Sequence, residues 1–174
     1  MSTDPLRAAV VETPVGPLTV VVDGDTVVAS GFTSLDDQLG RLPDELGDRA
    51  IVTVDDLGPV TAAVRAYLDG DVDALDDVAV RQPGGPFLQE SWRVMRQIPP
   101  GDTWSYAELA AKAGRPQAVR AAGQACARNL VAPFVPCHRV VRSGGALGGY
   151  YYGLPVKRWL LEHERGGAEE PTLL

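Results

Sequence analysis

The sequence predicts an α/β N-terminal domain, residues 1–78, followed by a mainly α C-terminal domain, residues 79–174, that contains a helix-turn-helix. Three features point there. Short β-branched runs separated by a turn signal open the first half. Apolar residues at helical spacing dominate the second half. The charge also divides: residues 1–78 carry 4 Lys and Arg against 16 Asp and Glu, a net of −12, whereas residues 79–174 carry 12 against 7, a net of +5. A basic half beside an acidic one suggests that only the second domain meets a polyanion. The plainer alternative, acids as solubilising surface charge, accounts for the first half only.

Taken in order, Thr13 to Phe32 reads as strand, turn, strand. Leu18-Thr19-Val20-Val21-Val22 is apolar and β-branched, Asp23-Gly24-Asp25 is a turn signal, and Thr26-Val27-Val28 begins the next strand. Residues 33–50 are polar and in part helical, broken by Pro43 and Gly47. Val60, Val64 and Leu68 recur at helical spacing between Pro59 and Gly70. Asp69 to Asp77 is an acidic connection and the expected boundary. Phe87, Trp92, Val94, Met95 and Ile98 make Pro86 to Ile98 a helix with core residues, stopped by Pro99-Pro100-Gly101. Ser105 with Glu108 three residues on is a capping box, opening a helix to about Ala113. Gly114-Arg115-Pro116 turns the chain into a further helix reaching about Arg128, and helix, short turn, helix is the helix-turn-helix pattern.

That last helix sets Arg120 among small residues: Ala118, Val119, Ala121, Ala122, Gly123 and Ala125. Two uses compete. Small side chains allow close helix packing, with Arg120 a surface charge. They also allow close approach to a DNA groove, with Arg120 the one long side chain able to enter the base stack. Composition alone favours packing.

Bulk properties narrow the class. A hydrophobic fraction of 45% with 22% charged residues fits an ordinary globular protein rather than a disordered one. No basic stretch followed by an apolar run begins the chain, and no apolar run approaches the ~20 residues needed to span a bilayer. The expectation is a cytoplasmic protein with no membrane partner. The chain has two cysteines, Cys126 and Cys137, and two histidines, His138 and His163. A cytoplasmic chain disfavours a disulfide, and the absence of CxxC or HxxxH spacing disfavours a zinc site.

Cys137 stands in Val135-Pro136-Cys137-His138-Arg139-Val140. A thiol becomes nucleophilic as it loses its proton, which a neighbouring base or cation promotes. On a strand, adjacent side chains point to opposite faces, so His138 need not touch the sulfur directly, and a relay through one water stays open. A basic imidazole also needs an orienting acceptor on its other nitrogen, for which Glu162 and Glu164 are candidates. The alternative is an inert buried cysteine, as most free cysteines are.

VPCHRVV at 135–141 resembles the active-site signature of the alkylguanine–DNA alkyltransferases, also called methylated-DNA–protein-cysteine methyltransferases. The resemblance extends from Pro86 to Glu164 in order: WSYAELA at 104–110, AVRAAGQA at 118–125, Asn129, PCHRV at 136–140 and GGYYYGLPVKRWLLEHE at 148–164. TPVGPLTVVV resembles, more loosely, the opening hairpin of bacterial members, which implies a ribonuclease-H-like α/β fold for the N-terminal domain.

The resemblance implies repair of alkylated double-stranded DNA by a monomer in a single turnover without a cofactor. It makes Cys137 the alkyl acceptor, His138 its base through a water, and Glu164 the residue that orients His138. Tyr106 would give a proton to the departing guanine, and Asn129 would hold the turn before the active-site strand. Arg120 would fill the space of the extruded nucleotide, with Ala118, Val119, Ala121, Gly123 and Ser105 against the DNA. This reverses the weighting of Arg120 given by composition. Val140, Tyr150 and Tyr151 would line the base pocket. The sequence departs from the pattern at Leu130, where many members have Pro, and at Tyr151-Tyr152, where many have small residues. The tyrosines predict a narrower pocket that disfavours bulky alkyl groups. The N-terminal zinc site of some members is excluded because residues 1–125 hold neither Cys nor His. Three rivals remain: a non-catalytic damage sensor, against which Cys137 argues; a helix-turn-helix regulator; and a thiol hydrolase or redox protein, which would have no use for Arg120.

Overall fold

Val20, Val21 and Val22 are all buried, although alternate residues of a strand face opposite ways. A strand buried on both faces lies inside a covered sheet. The computed structural model, which describes residues 4–166, shows that sheet. Its order is β3-β2-β1-β4, from β1 (Leu6–Thr13), β2 (Gly16–Asp23), β3 (Thr26–Gly31) and β4 (Ile51–Thr53). β2 runs antiparallel to β1 and β3, and β1 pairs in parallel with β4. The expected hairpin is β2–β3, turning at Gly24 with φ 66°. β1 and β4 have no counterpart among the strands that the sequence predicts.

Two short helices flank the sheet. Ser34 caps α1 (Leu35–Leu39), accepting from the Asp37 N–H at 3.2 Å. The broken helical stretch of 33–50 is therefore this single turn and a half plus a 3-10 turn at Asp44–Leu46. Leu35, Leu39, Leu42 and Ile51 pack on a cluster of Leu6, Ala8, Val21, Val28, Ala29 and Leu46. α2 (Pro59–Leu68) packs against β1 and buries Val60, Val64 and Tyr67, so its inner stripe ends on Tyr67 rather than on Leu68. At the β2–β3 turn, Asp23 accepts from Arg49 at 2.9 and 3.0 Å and from Arg81 at 2.7 Å. Those bonds, Arg49's first, hold its carboxyl at about 2 against an ordinary 3.8. Its share of stability is thus complete above 3.8 and is lost as pH falls through about 2.

The chain forms two compact units. One comprises residues up to Pro83 together with Leu130–Phe134; the other comprises Gly84–Asn129 and the chain from Val135 onward. The change of unit falls five residues after the boundary expected at 78, and the excursion of 130–134 has no signal in composition. Its reason is the open edge of β3. The Val27 N–H donates to Ala79 O at 2.8 Å and the Ser30 N–H to Leu130 O at 2.7 Å, so residues 79–81 and 130–131 complete that edge. Gln82 Oε1 accepts from the Leu130 N–H at 2.7 Å.

The second unit is mainly helical: α3 (Pro86–Met95), α4 (Tyr106–Lys112), α5 (Val119–Ala127) and α6 (Leu154–Glu164). A two-residue parallel pair, β5 (Trp104–Ser105) with β6 (Val140–Val141), lies among them. The α3 helix stops at Met95, and i→i+3 bonds tighten Gln97 and Ile98 before the prolines. The expected capping box is formed: Ser105 Oγ accepts from the Glu108 N–H at 3.0 Å, and Glu108 Oε1 accepts from the Ser105 N–H at 2.8 Å. Residues 116–118 stay in the turn, so α5 starts at Val119. Trp92 is buried with its Nε1 donating to Ala125 O at 2.8 Å, which ties α3 to α5.

Candidate active site

Cys137 opens a 3-10 turn, Cys137–Arg139, and only then does the chain extend as β6. The strand expected at Cys137 and His138 is therefore corrected. Pro136 has no N–H to give a ladder, and its carbonyl accepts instead from the Arg139 N–H at 2.9 Å, which closes the turn. The turn buries three successive chemistry-bearing side chains: Cys137 at 7%, His138 at 1% and Arg139 at 4% exposure.

Each has a fixed neighbour. Asn129, buried just after α5, donates from Nδ2 to Val135 O at 2.8 Å and to Cys137 Sγ at 3.3 Å. His138 Nε2 lies 2.7 Å from Glu164 Oε2. Glu164 also accepts from Arg139 Nε at 2.8 Å and Nη2 at 3.1 Å, while Arg139 Nη1 donates to Ile98 O at 2.7 Å. Of the two candidate carboxylates, Glu164 is buried and Glu162 is exposed.

The protonation states follow. Burial pushes the Glu164 carboxyl up, but His138 and Arg139 together outweigh it and hold the group well below the usual carboxylate range. An ionised carboxylate only accepts, so Nε2 carries the shared proton. Burial pushes His138 below its ordinary 6.5, against the opposing pull of Glu164. The imidazole is thus neutral at neutral pH. Its proton sits on Nε2, and Nδ1, which is buried without a hydrogen-bond partner among the described residues, keeps its lone pair. A neutral imidazole with a free lone pair beside a buried thiol is an arrangement for removing the thiol proton.

Other expected residues fall in two groups. Tyr106 starts α4, half-buried, and burial raises its hydroxyl pKa above 10.0. Val140 is fully buried in β6; Tyr150 is half-buried, and Tyr151 is 63% exposed. The rings of Tyr150 and Tyr151 each meet Tyr152 edge-on, at 5.8 and 4.9 Å between centroids. On α5, Ala122 and Ala125 are buried, whereas Arg120 is exposed with no hydrogen bond or ion pair among the described residues. Ala122 and Ala125 thus pack inward, while Arg120 stands on the exposed side of the same helix. Ala118, Ala121 and Gly123 are half-buried and Val119 is exposed. An open groove at the start of α5 is lined by Arg115, Pro116, Gln117 and Ala118. Ser105 is half-buried, its hydroxyl engaged in the cap. Arg139 as a clamp on Glu164, and the buried Lys157, were not anticipated. No group of three or more His, Cys, Asp or Glu among the described residues could hold a metal ion, and no helix among them is long and apolar enough to cross a membrane.

Residues 86–166 match the family described as 6-O-methylguanine DNA methyltransferase, DNA binding domain. The methylated-DNA–protein-cysteine methyltransferase of Salmonella typhimurium is 34% identical over 158 residues, covering 88% of this chain and 92% of that protein. The protein of the same name from Methanosarcina acetivorans is 33% identical over 156 residues, covering 90% and 96%. The crystal structure of Mycobacterium tuberculosis OGT in complex with DNA superimposes with a TM-score of 0.78 at 30% identity, over 93% of this chain and 94% of that one. A mixed α/β fold shared along nearly the whole length, with a sequence kinship of this extent, settles the relationship: the chain belongs to the methylated-DNA–protein-cysteine methyltransferase family.

Proposed function

We propose that this protein repairs double-stranded DNA by taking the alkyl group from O6-alkylguanine onto Cys137 in one irreversible turnover, with O4-alkylthymine as a second substrate. The observation that carries this is the chain of contacts Arg139–Glu164–His138 beside Cys137, which puts the imidazole proton on Nε2 and leaves Nδ1 unshared, while burial keeps the ring neutral. His138 takes the thiol proton through a water. The thiolate then forms an S–C bond as the C–O6 bond breaks, and the electron pair stays on the base. Tyr106, kept protonated by burial, gives that base a proton. The proton gained by His138 balances the one lost by Tyr106, and the thioether is not reversed by water or ordinary thiols. Asn129 steadies the sulfur and the turn.

The reacting carbon lies inside the duplex, so the nucleotide must be flipped out, at a cost of a few kcal/mol. α4, its turn and α5 act as the helix-turn-helix, with α5 in the groove and Arg120 entering the stack. Ala118, Val119, Ala121, Gly123 and Ser105 approach the DNA. Val140, Tyr150 and Tyr151 line the pocket for the flipped base. The N-terminal unit is ribonuclease-H-like, a reading supported by its β3-β2-β1-β4 order with β1 and β4 parallel. The protein works as a monomer.

Incubation with a duplex containing one methylated guanine is expected to raise the intact mass by one methyl per chain. Cys137→Ser should bind the duplex and gain nothing. Binding without mass gain by the wild type would instead make the protein a sensor, and no binding would remove both DNA readings. The edge-packed tyrosines make a second expectation: benzylated guanine in duplex DNA reacts at least about tenfold slower than methylated guanine, the scale on which pocket shape discriminates. Equal rates would show that Tyr151 and Tyr152 do not narrow the pocket.

A further inference from the structure

The mechanism above leaves one buried charge unused. Lys157 on α6 is fully buried. Its Nζ donates to Val140 O at 2.7 Å, Leu147 O at 2.5 Å and Gly149 O at 3.1 Å, which spends all three ammonium protons. Its hydrogen-bond partners are carbonyls, without a carboxylate in an ion pair, and burial pushes its pKa down against the opposing pull of the Cys137 and Cys126 thiols. Burying a cation this way is costly, and an apolar side chain would fill the same volume without that cost. What the ammonium supplies is convergence. It gathers the end of the active-site turn and the loop at 147–149 onto one point.

That loop is also the seat of Tyr106. The Gly149 backbone N–H faces the Tyr106 hydroxyl and favours its ionised form. Gly148, at φ 74°, presents its bare face to the ring: a Cβ there would lie 2.9 Å from Tyr106 Oη and 3.2 Å from Cε2. Gly149 is therefore held by Lys157 through its carbonyl, in the loop that Gly148 sets against the Tyr106 ring and whose N–H faces the Tyr106 hydroxyl. We infer that Lys157 is a positioning residue for alkyl transfer: by fixing the Leu147 and Gly149 carbonyls it aims the Tyr106 hydroxyl at the flipped base. The inference rests on the proposed role of Tyr106 as proton donor.

A double-mutant cycle on the full chain tests it, reading the single-turnover rate of methyl transfer from a duplex containing methylated guanine. Tyr106→Phe is expected to slow transfer about 10²-fold, the low end for loss of a general acid. Lys157→Met should slow it by about 10- to 10²-fold, because the donor remains but is misaimed. The double variant should be within about threefold of Tyr106→Phe alone, since a donor that is absent cannot be misplaced. Losses that multiply would mean that Lys157 supports the fold or another group, and would overturn the inference; so would a Lys157→Met variant as fast as wild type. Where Lys157→Met fails to fold, judged by circular dichroism, Lys157→Gln keeps two donors for the carbonyls and carries the same cycle. A wild type that does not methylate Cys137, or a Tyr106→Phe variant at full rate, overturns the reading of the site and this inference with it. Multiplying losses alongside normal wild-type transfer overturn the inference alone.

Discussion

Glu164→Ala is expected to destabilise the second unit by about 3–5 kcal/mol, the usual cost of stripping one partner from a buried ion pair. Glu164 is the shared acceptor for His138 Nε2 and for two nitrogens of Arg139. Without it the Arg139 guanidinium, whose side chain is 5% exposed, keeps only the Ile98 carbonyl among those partners. A melting midpoint lowered by about 10 °C should result. Glu164→Gln separates structure from chemistry. It keeps the shape and one acceptor oxygen but removes the charge that fixes the Nε2 tautomer. Transfer by this variant should fall about 10²-fold or more even at temperatures where it is fully folded. Thermal melts and single-turnover rates on the two variants check both statements. A Glu164→Gln protein with wild-type kinetics would show that His138 needs no orienting charge. The acid sign follows from the depressed carboxyl: the stabilisation is complete above the ordinary value of 4.5 and is lost as pH falls through the much lower folded value.

His138→Gln is the second large effect, an expected loss of about 10²–10⁴ in transfer rate, the range for removing a general base. The pH profile tests the assignment more sharply than the magnitude does. Burial lowers the His138 pKa from 6.5, so the imidazole is neutral and able to accept a proton throughout the range above that value. The wild-type rate should therefore fall on the acid side only below pH 6.5, as the ring protonates, and His138→Gln should lack that limb. Stability shifts in the same direction. A buried neutral histidine contributes fully above its unfolded pKa, and that share declines as pH falls from 6.5 toward the folded value, because the unfolded chain binds the proton more readily. An acid limb unchanged in His138→Gln would assign it to another group.

The sequence made some of this legible and hid the rest for identifiable reasons. Helices announced by punctuation, such as Pro59–Leu68 and the capped α4, fell within a few residues of their expected ends. β1 was silent because Arg7, Ala8 and Ala9 dilute its β-branched residues, and β4 because three residues are too few for a period. Cys137, His138 and Glu164 were identifiable as residue types in a signature. Arg139 and Lys157 were not, because a lone charge is normally read as surface. A usable signal did exist in α6. Lys157, Leu160, Leu161 and Glu164 occupy i, i+3, i+4 and i+7, and all four are buried. Opposite charges at the two ends of an apolar helical stripe imply a buried polar network at each end, which is what Val140 O and Arg139 provide.

The excursion of residues 130–134 bears on how the chain is made. A ribosome delivers the N-terminus first, and domains usually fold as they emerge. Here the first unit cannot finish in that order. Its last segment arrives only after α3, α4 and α5 have been synthesised, and until then the Ser30 N–H on the β3 edge lacks the Leu130 carbonyl. An unpaired edge is a template for pairing with another chain, so the nascent protein passes through a stage in which its acidic half is the vulnerable one. The dense negative charge of residues 1–78, which the sequence alone reads as solubilising surface, opposes self-association during that interval.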